Sequence, residues 1–411
     1  MRKKHKVQLV APAGNIEKLR TAFMYGADAV YIGYPGMSLR SYAENLDFSD
    51  IKRISGETGK TGKKLYLALN AYLKEADLKK ARAAIKKINA IKPAAVIISD
   101  AGMIKVARRF LCPGVKIHLS TQANTLNSSA ALFWKKSGVD RIILGREVSL
   151  KDIRSIKKAA PGMELEIFCH GAMCVSYSGR CLLSSVMTGR SANEGKCTHP
   201  CRWKYYLVEE TRPGEYFQVE SFAGGSYILN SKDLNMINYI AEIAEAGVDS
   251  IKIEGRMKSL YYIACVVRAY RSAIDSYYSG EKRPPKKIIE ELEKISHRKY
   301  TTGFYVNRDS DSDMLFTDTS AYERKYDFLG VVENADDNIV TLEVRNKIRT
   351  GDSVEVIGPD IGQDRKEKIN LMFEENGGVL KEANPGMKVK LNFKHGACAG
   401  DLVRKKNEQQ S

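Results

Sequence analysis

Eight short β-branched runs alternate with amphipathic helical stretches over the first 280 residues, and this alternation limits the fold more than any other feature. The runs lie at 7–10, 29–33, 64–70, 94–99, 115–120, 141–145, 164–169 and 250–254. They read as buried strands, and the stretches between them are rich in Lys and Ala with apolar residues at helical spacing. In 16–26, for example, Leu19, Ala22 and Phe23 share one face. Eight strands in βα order over roughly 255 residues fit an α/β (β/α)8 barrel of the TIM type better than an open doubly wound sheet. No G-x-G-x-x-G follows the first strand, which argues further against a dinucleotide site.

The seventh unit is irregular. Between its strand and its helix, at about 236–246, lies an insertion spanning 170–235. It is rich in cysteine and then hairpin-like, at 205–209 and 216–220. Barrels of this type carry their active sites in the loops at the C-terminal ends of the strands. The insertion begins at such an end, so it is expected over the mouth. After an eighth helix at 259–278, the Pro pair within 281–287 marks a break. Residues 281–325 read as a linking helix (286–296) and an extended segment. Short alternating strands and Gly-Asp turns in 326–411 indicate a small C-terminal β-barrel domain.

The stretch 166–201, at the end of the seventh strand and the start of the insertion, holds five of the eight cysteines. Cys174, Cys181, Cys197 and Cys201 are spaced C-x6-C-x15-C-x3-C, with glycine and small polar residues between them. Thiolates suit soft metals, either tetrahedral zinc or an iron–sulfur cluster. Zinc ribbons pair two short knuckles, and this wider, unequal spacing suits a [4Fe–4S] cluster better, with zinc as the alternative metal. Cys169 reads as a buried thiol, with a spare ligand or a reactive thiol as alternatives. Cys112, Cys265 and Cys398 are isolated.

The formal charge of +17 is uneven. Residues 326–411 hold 13 basic and 15 acidic side chains, so the excess of positive charge lies in the first 325 residues with the cysteines. That distribution favours a polyanion, most simply a nucleic acid. No run of about 18 apolar residues is present, so no transmembrane helix or membrane partner is expected. The basic N-terminus passes into a strand without an apolar signal core. A cytoplasmic, reducing compartment is expected, where clustered cysteines bind metals more often than they form disulfides.

Polar residues at the predicted strand ends form a second set. We take Glu166, His170 and Arg256 as candidate catalytic residues. Asn70, Gln122, Arg146, Lys232, Asp233 and Lys258 are candidate substrate ligands. Their convergence at the mouth is what a substrate pocket requires. Arg256 and Lys258 open the eighth helix, where free N–H groups favour anions, and they suit a carboxylate or phosphate. Neither H-E-x-x-H nor G-x-S-x-G occurs, so hydrolytic chemistry finds little support.

Glu166-Ile-Phe168-x-x-Gly171-Ala172-Met-Cys174, continued by Ser176-x-Ser178-Gly179-Arg180-Cys181-x-x-Ser184, resembles the signature of the U32 peptidase-like (collagenase-like) family. So do Leu9-x-Ala11-Pro12-Ala13-Gly14, Asn230-Ser231-Lys232-Asp233-Leu234 and Ile253-Glu254-Gly255-Arg256-Met257-Lys258. The resemblance spans essentially the whole chain and is closest to the family's tRNA hydroxylation branch. It implies an RNA-modifying enzyme that forms 5-hydroxyuridine at the tRNA wobble position. It also implies a [4Fe–4S] cluster on Cys174, Cys181, Cys197 and Cys201, prephenate as co-substrate and tRNA as partner. A redox partner or paralogous subunit stays open. A U32-type peptidase and a non-catalytic RNA-binding protein with a structural metal are the alternative readings.

Overall fold

In the computed structural model, the described residues are 6–38, 46–174, 176–203, 206–207, 210–211, 213–214, 217–218, 232–306 and 322–407. The chain forms β1 (Gln8–Pro12), α1 (Ile16–Met24), β2 (Ala29–Gly33), α2 (Phe48–Lys60), β3 (Lys64–Leu69) and α3 (Leu78–Ile91). It continues through β4 (Ala95–Ile98), α4 (Ala101–Phe110), β5 (Lys116–Leu119), α5 (Ser128–Lys136), β6 (Arg141–Ile143), α6 (Leu150–Ala159) and β7 (Glu164–Ala172). After β7 come α7 (Leu183–Thr188), β8 (Tyr206–Leu207), β9 (Phe217–Gln218), β10 (Asp233–Asn235), α8 (Ile240–Glu245) and β11 (Ser250–Ile253).

Strands β1 to β7 pair in sequence order, all parallel, and β11 pairs with both β7 and β1. The sheet therefore closes on itself as the expected eight-stranded barrel. Helix starts are fixed locally, since Asp47, Asp100, Asn127 and Ser149 each accept a backbone N–H of the first turn of the helix that follows. The hairpin expected in the insertion exists as the antiparallel pair β8–β9.

Strand β7 is longer than its neighbours. Its first residues pair with β6, and β11 takes the other edge as far as His170. Beyond the end of β6, antiparallel β10 occupies the edge left open, at His170 to Ala172. A strand β12 (Tyr300–Thr301) then pairs parallel to β10. This return is pinned by Arg298, whose Nε and backbone N–H both bond the Asp233 carboxylate at 3.2 Å.

The described residues fall into two compact units. The first comprises residues up to Ile16, Asp28 to Met257, and Arg298 to 306. The second comprises Glu17 to Ala27, Lys258 to His297, and Tyr322 onward. It contains α1, α9 (Leu260–Tyr278) and α10 (Lys286–Glu291), together with a C-terminal antiparallel β domain. That domain consists of β13 (Tyr326–Asp336), β14 (Ile339–Val344), β15 (Ile348–Arg349), β16 (Ser353–Ile357) and β17 (Arg365–Lys368). It is completed by β18 (Met372–Glu374), β19 (Val379–Leu380), β20 (Glu382–Ala383), β21 (Lys388–Asn392) and β22 (Leu402–Lys406).

Leu329, Leu342, Val389, Leu391 and Phe393 lie in the core of this domain. A buried ion cluster ties the helices of the unit to its strands. Arg404 grips Glu291 through both Nη atoms at 2.7 and 2.9 Å. Arg268 bonds Glu291 through Nε at 3.0 Å and Asp364 through both Nη atoms at 2.8 and 3.0 Å.

Candidate active site at the barrel mouth

The floor of the barrel is polar. Arg141 opens β6 and places Nη1 2.8 Å from Gln8 Oε1 and 2.9 Å from Glu166 Oε2. Ser250 Oγ donates to the same Glu166 oxygen at 2.9 Å, and Lys252 Nζ lies 3.3 Å from the other. Burial by itself would raise the Glu166 carboxyl, but the Lys252 and Arg141 charges outweigh it and hold the group below its ordinary value. Glu166 was expected at the mouth. Its side-chain partners Arg141 and Ser250 are instead the first residues of β6 and β11, and they place the carboxylate at the floor. It is wholly buried there, and its geometry is that of a structural ion pair.

Above this layer, Lys252 Nζ lies 4.1 Å from the Tyr31 ring centroid, and His118 packs edge-on against Tyr66 at 4.7 Å. Neither His118 ring nitrogen has a hydrogen-bond partner among the described residues. Burial, and then Arg141 and Lys252, push its pKa well down, so the ring is neutral.

The mouth is assembled from the strand ends. Gln122 follows β5 and is 2% exposed. Its Oε1 lies 2.9 Å from Ser99 Oγ and 3.2 Å from Ser120 Oγ, and Ser99 Oγ also reaches the Asn70 carbonyl at 3.1 Å. Asn124 takes a left-handed conformation (φ 49°), which its short amide tolerates by bonding locally. Its Nδ2 donates to the Gln122 carbonyl at 3.0 Å and to the Ser178 carbonyl at 3.1 Å. Gln122 Nε2, Asn124 Oδ1 and Arg146 Nε are buried without a hydrogen-bond partner among the described residues. Such atoms are costly unless a ligand or water meets them.

On the next strands, Arg146 follows β6 with its guanidinium 4.2 Å from the Phe168 ring centroid and Nη2 4.0 Å from Glu254. Burial raises the carboxyl of neighbouring Glu147. The Glu254 N–H donates to the His170 carbonyl at 2.8 Å. His170 itself is buried, with its ring 5.5 Å from that of Tyr300. Arg256 is buried beside the end of β2, with its Nη atoms 3.3 and 3.4 Å from Ser38 Oγ.

Asn70, Gln122, Arg146 and Arg256 thus stand at strand ends as expected. Asp233 lies in β10 with its carboxylate committed to Arg298, and Lys232 is half-buried just before it. Lys258 belongs to the second unit, its ammonium 5.2 and 4.6 Å from the Tyr262 and Tyr322 rings. Asn230 and Ser231 lie outside the described residues.

The cysteine loop leaves β7 and is docked on the mouth. Tyr72 Oη donates to the Gln122 carbonyl at 2.7 Å. A Cβ on Gly179 (φ +75°) would sit 2.9 Å from Tyr72 Cε2 and 3.3 Å from Gln122 Nε2. Sequence reasoning missed Tyr72 and the role of Gly33 beside Arg256, since an aromatic after a strand and a glycine at its end have many ordinary uses.

Farther along the loop, the buried Ser184 hydroxyl accepts the Thr198 N–H at 3.1 Å and donates to the Arg190 carbonyl at 2.6 Å. It thereby joins the stretch after Cys181 to the stretch holding Cys197. The His199 N–H points at Cys197 Sγ, 3.4 Å away. None of Cys174, Cys181, Cys197 and Cys201 is in a disulfide; the first is exposed and the others are half-buried. Among the described residues, no three of their sulfurs lie within 4.8 Å of each other. One zinc ion, with Zn–S near 2.3 Å, would bring four thiolates to about 3.8 Å apart. An all-sulfur donor set of this kind suits either zinc or an iron–sulfur cluster. Cys169 is apart from this set. It is fully buried, its thiol is pushed well up by burial, and its Sγ faces the Lys252 carbonyl at 3.4 Å.

Residues 14–315 match peptidase family U32, and residues 324–404 match the C-terminal domain of that family. The chain belongs to peptidase family U32. Among its relatives, tRNA hydroxylation protein P1 of Bacillus subtilis is 37% identical over 97% of this chain and 95% of that protein. The tRNA hydroxylation protein P of Escherichia coli is 35% identical over 92% of this chain and 91% of its own length. An uncharacterised protease of Methanocaldococcus jannaschii is 36% identical over 97% of both. This U32 chain is an enzyme, and at its mouth the unsatisfied atoms of Gln122, Asn124 and Arg146 lie at the strand ends on which the cysteine loop docks.

Proposed function

We propose that the protein takes part in prephenate-dependent 5-hydroxylation of uridine at the wobble position of tRNA. The observation that carries the reading is the docking of four disulfide-free cysteines over a mouth lined by unpartnered amide and guanidinium atoms. The names of the Bacillus and Escherichia relatives supply the reaction class.

In this reading Cys174, Cys181, Cys197 and Cys201 hold a [4Fe–4S] cluster, which would supply one-electron chemistry beside the substrate. The His199 N–H would donate to the Cys197 sulfur of such a cluster. Arg146 and Arg256 are fixed, buried cations at the strand ends and suit the two carboxylates of prephenate. Gln122 and Asn124 offer one amide atom each to the polar edge of a base. Their anchoring before substrate arrives limits the ordering cost of binding. With Tyr72 and the Gly179 turn above them, they also restrict water at the base.

Mass spectrometry of tRNA nucleosides from a strain lacking this gene tests the reading. Nucleosides derived from 5-hydroxyuridine should disappear, return with the intact gene, and stay absent with Cys174→Ala or Cys181→Ala. If they persist after any redundant paralogue is also removed, the hydroxylation reading fails and a peptidase role moves forward.

A further inference from the structure

Helices α3 and α4 present the most one-sided charge on the barrel. From Lys79 to Phe110 the chain holds nine Lys and Arg residues and one acid, Asp100. Asp100 is spent as the cap of α4, where it accepts the Met103 N–H at 2.8 Å. The buried face of α3 is apolar, with Ala81, Ala84, Ile85, Ile88 and Ile91. Its opposite face carries Lys79, Lys80, Arg82, Lys86 and Lys87, all exposed, and α4 adds Lys105, Arg108 and Arg109.

Among the described residues, only Arg108 of these eight has an ion-pair partner, Asp140 at 3.9 Å. Arg82 and Lys86, like Lys105 and Arg109, stand four residues apart, so like charges face each other along one side of each helix. An ordinary solvated face intersperses acids and relieves this repulsion. Here nothing on either helix relieves it.

The two helices are also locked together. Asn89 on α3 donates through Nδ2 to the Phe110 carbonyl at 2.8 Å and accepts the Cys112 N–H at 2.8 Å. At about 1.5 Å rise per residue, Lys79 and Lys86 are about 10 Å apart along the axis. Phe110 is 51% exposed at the end of α4, and the Arg109 guanidinium lies 5.2 Å from its ring centroid. Fixed cations beside an exposed ring suit a sugar–phosphate backbone with accessible bases. The helices follow β3 and β4, so in a βα barrel their first turns lie toward the mouth and the cationic face runs from there along the outer wall.

We propose that the exposed face of α3 and α4 is the docking surface for the RNA phosphate backbone. The proposal rests on the reading of the mouth as an RNA-modifying site. RNA is favoured over an acidic lipid surface because the face has no apolar stripe to enter a bilayer.

The test is tRNA binding by the cluster-loaded full-length protein across a salt series. The variant is Lys79→Ala/Arg82→Ala/Lys86→Ala/Lys105→Ala, in which alanine favours the helix and relieves repulsion, so the fold is kept. A control removes Lys366, Lys368, Lys381 and Lys390 from the C-terminal domain in the same way. The α3–α4 variant should bind at least about tenfold more weakly at 0.15 M salt. The slope of log K against log salt should shrink by about 0.7–0.9 for each phosphate that no longer meets a cation. The control should stay within about twofold.

Wild-type affinity and slope in the α3–α4 variant would overturn the docking surface while leaving the hydroxylation reading intact. Loss of binding to phosphatidylserine vesicles with unchanged tRNA binding would overturn it in favour of a membrane face. Absence of tRNA binding by the wild-type protein, with tRNA nucleosides unchanged on gene deletion, would remove both readings together.

Discussion

Gly33 leaves empty the volume that the Arg256 guanidinium fills: a Cβ at Gly33 would overlap both Arg256 Nη1 and Ser38 Oγ. The backbone at Gly33 is not left-handed, so alanine is allowed there on conformational grounds. Collision is the whole effect. Gly33→Ala should therefore push the guanidinium out of its seat, at a stability cost of about 1–3 kcal/mol. Hydroxylation in a complementation assay should fall with Gly33→Ala as far as with Arg256→Ala, while the thermal midpoint falls only modestly. Full activity in Gly33→Ala would show that the position of Arg256 is immaterial.

The ion cluster of the second unit sets an acid limit on stability. Burial alone would raise the Glu291 carboxyl, but Arg268 and Arg404 reverse this and bring it from the usual 4.5 down to about 2. A folded-state value below the unfolded one stabilises the protein above the unfolded value and ceases to do so as pH falls. The contribution is about 3 kcal/mol, fully present above about pH 5 and lost progressively toward pH 2. Hydrogen-exchange protection of β13, β14 and β21 should fall over that window. Glu291→Gln should lower protection already at pH 7, by about 3–5 kcal/mol, because two buried guanidinium groups lose their shared partner. Its protection should then depend less on pH between 5 and 2.

The barrel was legible because βα alternation is a long-range pattern written in short-range signals. The runs read as strands at 29–33 and 250–254 differ from β2 and β11 by at most one residue. Strand β10 was not legible, because three residues with a polar start carry no periodicity, and its pairing depends on the edge that β6 leaves open. Glu166 misled for a related reason. A carboxylate in an apolar strand looks the same from sequence whether it lies at the floor or at the mouth. Only its bonds to Arg141 and Ser250, at the starts of β6 and β11, distinguish the two. The ion pair of Asp233 with Arg298 joins residues 65 positions apart and left no local trace.

Cysteine replacements should separate into two groups. Cys169 is buried, held in its thiol form and turned toward the Lys252 carbonyl, so Cys169→Ala should leave iron content and visible absorption of the purified protein unchanged. Cys181→Ala and Cys197→Ala should lose both. Ser184 is the informative intermediate. Its hydroxyl is wholly buried, and removing it leaves the Thr198 N–H without its acceptor, a penalty of about 1–3 kcal/mol. Ser184→Ala should bind less iron than wild type and release it faster to a chelator, although none of the four proposed ligands has changed. Iron retention equal to wild type would mean that the bond to Thr198 does not shape the loop.

Gly179 is one of the points where the cysteine loop touches the barrel, and it separates docking of the loop from assembly of the proposed cluster. Its φ of +75° is a conformation that non-glycine residues rarely adopt, and a Cβ there would press on Tyr72 and on Gln122 Nε2. Gly179→Ala should lift the loop from the mouth and leave all four thiols in place. Iron content should then stay near the wild-type level, because the four thiols belong to the loop itself. Turnover should fall by about tenfold or more, because a displacement of about 1 Å at a reacting site can cost on the order of a hundredfold. Tyr72→Phe removes the bond to the Gln122 carbonyl without adding bulk and should cause a smaller fall in the same direction. Iron assays beside nucleoside mass spectrometry decide the matter: loss of iron in Gly179→Ala would mean that the barrel mouth is needed to build the centre as well as to use it.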